Sequence, residues 1–258
     1  MLLKLCISFL LFSCSFNVSQ QYYDRALFYE KQGDWENALV NLDKIIELNE
    51  NSDFTENALE KSAKIFQETK NYVESEKRLK KLVEVSISID KKIESMNKLV
   101  LLNSEFLNNS EEALLWSEKI WINFAKGRSI GAEWLYNYAT LLWEKGKIKK
   151  AIEMFQIFIE KYPGHEKMFR SRFYVAEAYY YLGKNKESLE EYDLILEDAP
   201  GDKIQAELYY GKALVYEKSG ELKKALEELK KARDHYPNKE VVDIKIGGIK
   251  KRLKDVNI

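Results

Sequence analysis

The chain is poor in the residues that crosslink or punctuate a fold. It has two cysteines, three prolines, two histidines and 11 glycines in 258 residues. Both cysteines, Cys6 and Cys14, stand within the first 14 residues, so the body has no thiol for a disulfide or a thiolate metal site. It must be held by an ordinary hydrophobic core. The histidines, His165 and His235, are 70 residues apart and lack a clustered partner. HExxH and CxxC metal patterns are absent. So are the GxxxxGKS/T and GxGxxG loops that cradle phosphates, and nothing points to a serine–histidine–carboxylate triad. An excess of either charge is also missing, with 41 basic and 42 acidic residues for a net charge of −1. An even mixture gives no basic stripe to follow a phosphate backbone. The expectation is a protein that is not an enzyme, with no metal, cofactor, small-molecule substrate or nucleic-acid partner.

What is present is hydrophobic and aromatic, 45% and 13% of the chain. The organising stretch is Ala132 to Pro163. Leu135, Tyr138, Ala139 and Leu142 recur at helical spacing, and Ile148, Ala151, Ile152, Phe155, Phe158 and Ile159 do so again. Gly146 lies between the two runs, where the chain leaves one helix and reverses. Pro163 lies past the second, which it cannot continue. Helices of about 13 residues, roughly 20 Å long, are marginal alone and must bury their apolar stripe on a neighbour.

The stretch repeats. The three prolines, Pro163, Pro200 and Pro237, are spaced by 37 residues, a period that means stacked hairpins. One series of aligned positions reads Ala26, Ala63, Leu101, Ala139, Ala176 and Ala213. A second reads Ala38, Ser75, Ala113, Ala151, Ser188 and Ala225, and the turns read Gly33, Lys70, Asn108, Gly146, Gly183 and Gly220. A small side chain on each helix of a hairpin lets the two axes approach to about 8–10 Å. The third hairpin, near Leu101 to Ile120, departs most, with Leu101 and Ser104 where a small residue and an aromatic are expected.

These residues resemble the tetratricopeptide repeat family. Its pattern is a small residue and an aromatic in helix A, glycine at the turn, a small residue and an aromatic in helix B, and a closing proline. Ala176–Tyr179–Gly183–Ser188–Tyr192–Pro200 matches it, as do Ala213–Tyr216–Gly220–Ala225–Leu229–Pro237 and, without the proline, Ala26–Tyr29–Gly33–Ala38–Leu42. The resemblance covers about Tyr22 to Pro237. It implies an all-α fold, an α-solenoid of about six helical hairpins over 21–237, closed by a capping helix over 238–258. In that helix Val242, Ile246, Ile249, Leu253 and Val256 share one face, opposite Lys245, Lys250, Lys251, Arg252 and Lys254. The long loops after the YP pairs look like those of periplasmic members, such as the BamD-type barrel-assembly lipoproteins and the Tol–Pal cell-division coordinator. The phenylalanine- and arginine-rich insertion of the BamD type is absent.

The N-terminus agrees with that branch. Residues 1–13 carry one lysine before an apolar run from Leu5 to Phe12, too short to span a bilayer and typical of a secretory signal. Leu11-Phe12-Ser13-Cys14 resembles a lipobox, which implies lipidation of Cys14 and a tether over 14–20. The expected location is the periplasmic face of the outer membrane. The alternative is a soluble periplasmic or secreted accessory protein.

The resemblance also implies where a partner binds, because helix A lines the concave wall in this family. The aligned wall positions are Tyr136, Thr140, Trp143 and Glu144, then Phe173, Glu177, Tyr180 and Tyr181, then Tyr210, Leu214, Glu217 and Lys218. The second hairpin offers Glu60, Lys64, Gln67 and Glu68 instead. Tyr136, Trp143, Phe173, Glu177, Tyr180, Tyr181 and Tyr210 are therefore the candidate groove for a protein or peptide segment, unless the rings pack on neighbouring repeats. Glu144, Glu177 and Glu217 flank it and suit a segment with a few basic residues. A carboxylate clamp of Lys98, Asn137 and Arg170 is a partial echo of the set used by chaperone-tail readers, with Leu102 and Tyr174 where two further polar residues should stand.

Overall fold

The computed structural model describes residues 18–48, 52–125, 131–199 and 201–255. Among them there are helices and turns but no strand. The chain divides into two compact units, Met1–Ser129 and Ile130–Ile258. In the first, residues 18–31 form helix α1, followed by α2 (Trp35–Glu47), α3 (Asp53–Glu68), α4 (Tyr72–Val85), α5 (Ile89–Leu101) and α6 (Ser110–Phe124). In the second come α7 (Ala132–Glu144), α8 (Ile148–Lys161), α9 (Met168–Tyr181), α10 (Asn185–Asp198), α11 (Asp202–Lys218), α12 (Leu222–Ala232) and α13 (Lys239–Asp255). Each unit is a row of three hairpins in which helices adjacent in sequence pack on each other.

The hairpins form because each turn has a left-handed residue. All six turn positions, Gly33, Lys70, Asn108, Gly146, Gly183 and Gly220, have positive φ, between 49° and 78°. Glycine reaches this region without a Cβ clash, which is why four of the six are glycine. The next amide then reaches back five residues along the helix end, as in Asp34 N to Tyr29 O and Lys147 N to Leu142 O, satisfying carbonyls that the helix leaves open.

The small residues mark the crossings. Ala38, Ser75, Ala113, Ala151, Ser188 and Ala225 are all fully buried, as are Ala26, Ala63, Ala139, Ala176 and Ala213. Where serine replaces alanine its hydroxyl is satisfied: Ser188 Oγ donates to Ala176 O at 2.8 Å, and Ser75 Oγ accepts from Gln67 Nε2 at 3.1 Å.

The third hairpin corrects the register. Leu101, aligned with the crossing alanines, is 49% exposed, and Val100 one residue earlier is 8% exposed. The cause is a π-turn over Leu102–Phe106 that follows α5 and takes up one extra residue. The turn amide of Asn109 accordingly reaches Asn103 O, one residue further from it than in the regular hairpins. Buried Asn103 donates Nδ2 to Leu99 O and to Glu76 Oε1, both at 3.0 Å, and so occupies polar groups beside the distortion.

Helices also occupy both ends of the described chain. Residues 18–20, assigned to the tether, are helical and Ser19 is buried. The expected signal at 1–13, Cys14 and the rest of the tether to residue 17 lie outside the described residues. At the other end α13 buries Val242, Ile246 and Ile249 against Ala213, Ala225 and Leu229, as a terminal cap does.

Candidate functional site

The second unit holds a cleft of about 440 Å³ between α9, α10, α11 and the residues that lead into α13. Five of the seven expected groove residues line it: Phe173, Glu177, Tyr180, Tyr181 and Tyr210. Their spacing explains this. Phe173, Glu177 and Tyr180 fall on one stripe of α9, and Tyr210 on the facing stripe of α11. Phe173 rests edge-on against Tyr192, at 5.9 Å between centroids, and Tyr210 lies against Tyr236 at 4.6 Å. Tyr181 is the outermost ring, 62% exposed.

Tyr136 and Trp143 do not line this cleft. Tyr136 packs edge-on against the buried rings of Phe155 and Phe158, with the Lys167 ammonium over its face at 4.8 Å. Burial holds its hydroxyl above the usual tyrosine range. Trp143 contacts Tyr174 at 5.3 Å and Tyr181 at 5.5 Å, so it touches the rim through Tyr181. The reason is the next hairpin: Tyr174 of α9 stacks on Phe155 at 4.9 Å and fills the space beside both residues.

The flanking acids differ in availability. Glu217 is neutralised by α13, accepting from Lys245 Nζ at 2.7 Å and Arg252 Nη1 at 2.8 Å. Glu177 and Glu207 are both half-buried in the cleft wall and have neither hydrogen bond nor ion pair among the described residues. Burial pushes the Glu177 carboxyl above its ordinary range, with Arg170 opposing the shift. The carboxylate clamp is not available as drawn. Lys98 is held by Glu60 at 2.6 Å and Glu94 at 2.9 Å, and the Arg170 guanidinium lies over Phe173 and Tyr174, each at 5.2 Å.

Glu207, Gly211 and Tyr236 complete the cleft and are not singled out by the sequence pattern. Gly211 carries a signal that could have found it: a glycine within α11 costs about 1 kcal/mol against alanine and asks for a packing reason. That reason is Tyr192, whose ring carbon and hydroxyl would lie 2.5 Å from a Cβ at this position. His165 packs edge-on against Phe158, and His235 stands at the surface 3.7 Å from Asp202. Among the described residues no group of three histidine, cysteine, aspartate or glutamate side chains could hold a metal ion.

Family profiles described as tetratricopeptide repeat match residues 22–52, 136–203 and 206–239, together about half of the chain. No curated protein matches the sequence. Solved structures do match the fold. YrrB, described as a TPR protein with an unusual peptide-binding site, aligns with a TM-score of 0.55 at 20% identity over 78% of this chain and 95% of its own. MamA from Desulfovibrio magneticus RS-1 aligns with a TM-score of 0.52 at 21% identity, over 66% and 89%. The MSR-1 MamA gives 0.52 at 16%, over 75% and 99%. Six left-handed turns in register, eleven buried small residues at the hairpin crossings and three matching profiles lead to one conclusion: the chain belongs to the tetratricopeptide repeat family, whose members serve generally as scaffolds for protein–protein interaction.

Proposed function

We propose that this protein is a non-catalytic scaffold of a bacterial envelope complex, which binds a protein segment along the aromatic first-helix face of residues 131–255. The observation that carries this reading is the cleft that gathers Phe173, Glu177, Tyr180, Tyr181 and Tyr210. Tyrosine and phenylalanine give large contact area for little loss of side-chain freedom, and such rings dominate interface energies. An open cleft between helices suits an extended or helical segment better than a compact metabolite. The peptide-binding site described for YrrB is a parallel in the same fold.

The anchoring half of the proposal rests on the sequence alone. A lipid on Cys14 would hold the repeats at the periplasmic face of the outer membrane. Cys14→Ser should abolish palmitate labelling of the protein and move it from the membrane pellet to the soluble periplasmic fraction. A variant that stays in the pellet refutes the anchor. Wild-type protein that is soluble and unlabelled supports the soluble accessory reading instead.

The binding half is tested by Tyr180→Ala combined with Tyr181→Ala. The expected result is loss of partner capture from envelope extract equivalent to about 2 kcal/mol or more, with the melting temperature nearly kept. Unchanged capture by a folded double variant refutes the groove.

A further inference from the structure

The cleft has a chemical bias that the groove reading, on which this inference rests, does not specify. Its two carboxylates stand on facing helices, Glu177 on α9 and Glu207 on α11, and neither has a hydrogen bond or ion pair among the described residues. The floor is Tyr192, only 2% exposed, whose hydroxyl makes no hydrogen bond among the described residues and reaches the cleft wall where Gly211 leaves room for it. A carboxylate partly withdrawn from water without a bonded partner is costly. The cleft therefore holds two half-buried carboxylates without a bonded protein partner, beside the rings of Phe173, Tyr180, Tyr210 and Tyr236.

Two cations already show what these rings accept. Arg170 at the cleft edge lies over Phe173 at 5.2 Å, and just outside it Lys218 sits over Tyr180 at 4.4 Å with Nζ donating to Tyr180 O at 2.7 Å. Neither forms a hydrogen bond or ion pair with Glu177 or Glu207, and Arg170 only lowers the pKa of the Glu177 carboxyl at a distance against the stronger effect of burial. A planar guanidinium combines stacking on aromatic faces with a fork of donors that matches carboxylates, and it is the more weakly hydrated of the two basic side chains. We propose that the cleft takes one arginine side chain of the bound segment, stacked among the tyrosine rings and hydrogen-bonded to Glu177, with Glu207 as the second anion. The desolvation that keeps Glu177 above its ordinary pKa is then offset when the arginine arrives.

The probe is a phage-displayed random heptapeptide library selected on the full chain, with binders resynthesised carrying citrulline, the neutral isostere of arginine. Selected peptides are expected to share an arginine, and citrulline at that place should weaken binding by about ten-fold or more. Against Glu177→Gln the arginine and citrulline peptides should bind within about two-fold of each other. Peptides that lose binding to the Tyr180→Ala, Tyr181→Ala double variant but tolerate citrulline overturn the arginine inference and leave the groove standing. An arginine preference that survives Glu177→Gln unchanged overturns it too. Peptides indifferent to the double variant, or a library that yields no binder, overturn the groove and this inference together.

Discussion

The two units begin their helices in different ways. Asp34, Ser52, Asn71, Ser88 and Asn109 each accept a backbone amide at the start of α2 to α6. Helices α7 to α12 begin at Gly131, Lys147, Lys167, Lys184, Gly201 and Glu221, and none has such a bond. The first unit also ties successive hairpins by ion pairs, Glu30 to Lys61 at 2.8 Å, Glu56 to Lys91 at 3.0 Å and Glu60 to Lys98 at 2.6 Å. In the second, rings take much of that role, as in Phe155 on Tyr174 and Trp143 on Tyr181. The lesson is one of division. In the first unit helices α2 to α6 are specified by their own N-termini, and polar wall residues are consumed by one another. In the second, the rings that join hairpins also shape the cleft, so stability and recognition draw on the same side chains.

The strongest way to break this comparison is to overfill a joint of the aromatic unit. Gly211→Val should cost about 2–3 kcal/mol in chemical denaturation, because the new side chain meets the buried Tyr192 ring. Gly248→Ala, where a Cβ meets nothing within 4 Å, should gain up to about 1 kcal/mol by helix propensity. Equal effects would show that Tyr192 is free to move.

Next in size are the caps. Asp34→Ala and Asn71→Ala should each cost about 1 kcal/mol, and Lys147→Asp should add a comparable amount by giving the second unit what the first already has. Denaturation midpoints check both, and a neutral Lys147→Asp would mean that local caps do not limit the second unit.

A smaller effect concerns Glu177. Its carboxyl has a raised pKa in the folded protein, so the stabilising protonated form is present only at acid pH and is lost as pH rises through the folded value. Glu177→Gln should therefore melt slightly higher than wild type at neutral pH, with the difference closing as pH falls into the usual carboxylate range. A variant less stable at neutral pH would mean that Glu177 has a cationic partner within the fold.

The smallest expected change is at Leu101. Half exposed and displaced from the crossing, it should cost under about 0.5 kcal/mol when changed to alanine. A loss of several times that would restore the simple register.

These cases show which features the sequence makes legible. The turns are local: a left-handed residue seven positions after a small one is decided within a single hairpin, and all six are found where counting puts them. The crossings are nearly as legible, because only a small side chain fits there. Counting fails at Leu101, since a π-turn slips the phase by one residue and no local residue type announces it. The cleft was legible in part. Position on helix A picked Phe173, Glu177, Tyr180, Tyr181 and Tyr210, but whether a wall residue stays open depends on what the next hairpin brings. Tyr174 covers the space beside Tyr136 and Trp143, and Lys245 and Arg252 neutralise Glu217. Those are long-range facts, and no spacing rule within one repeat contains them.

The π-turn after α5 has a consequence for how such a chain can vary. An extra residue in a regular helix would rotate everything beyond it by roughly 100° and misplace every buried side chain up to the turn. Here the added length is confined to Leu102–Phe106, and Asn108 still turns the chain in the left-handed conformation shared with the other hairpins. The first unit thus contains a joint where gain or loss of a single codon can be absorbed without rewriting the hairpins on either side.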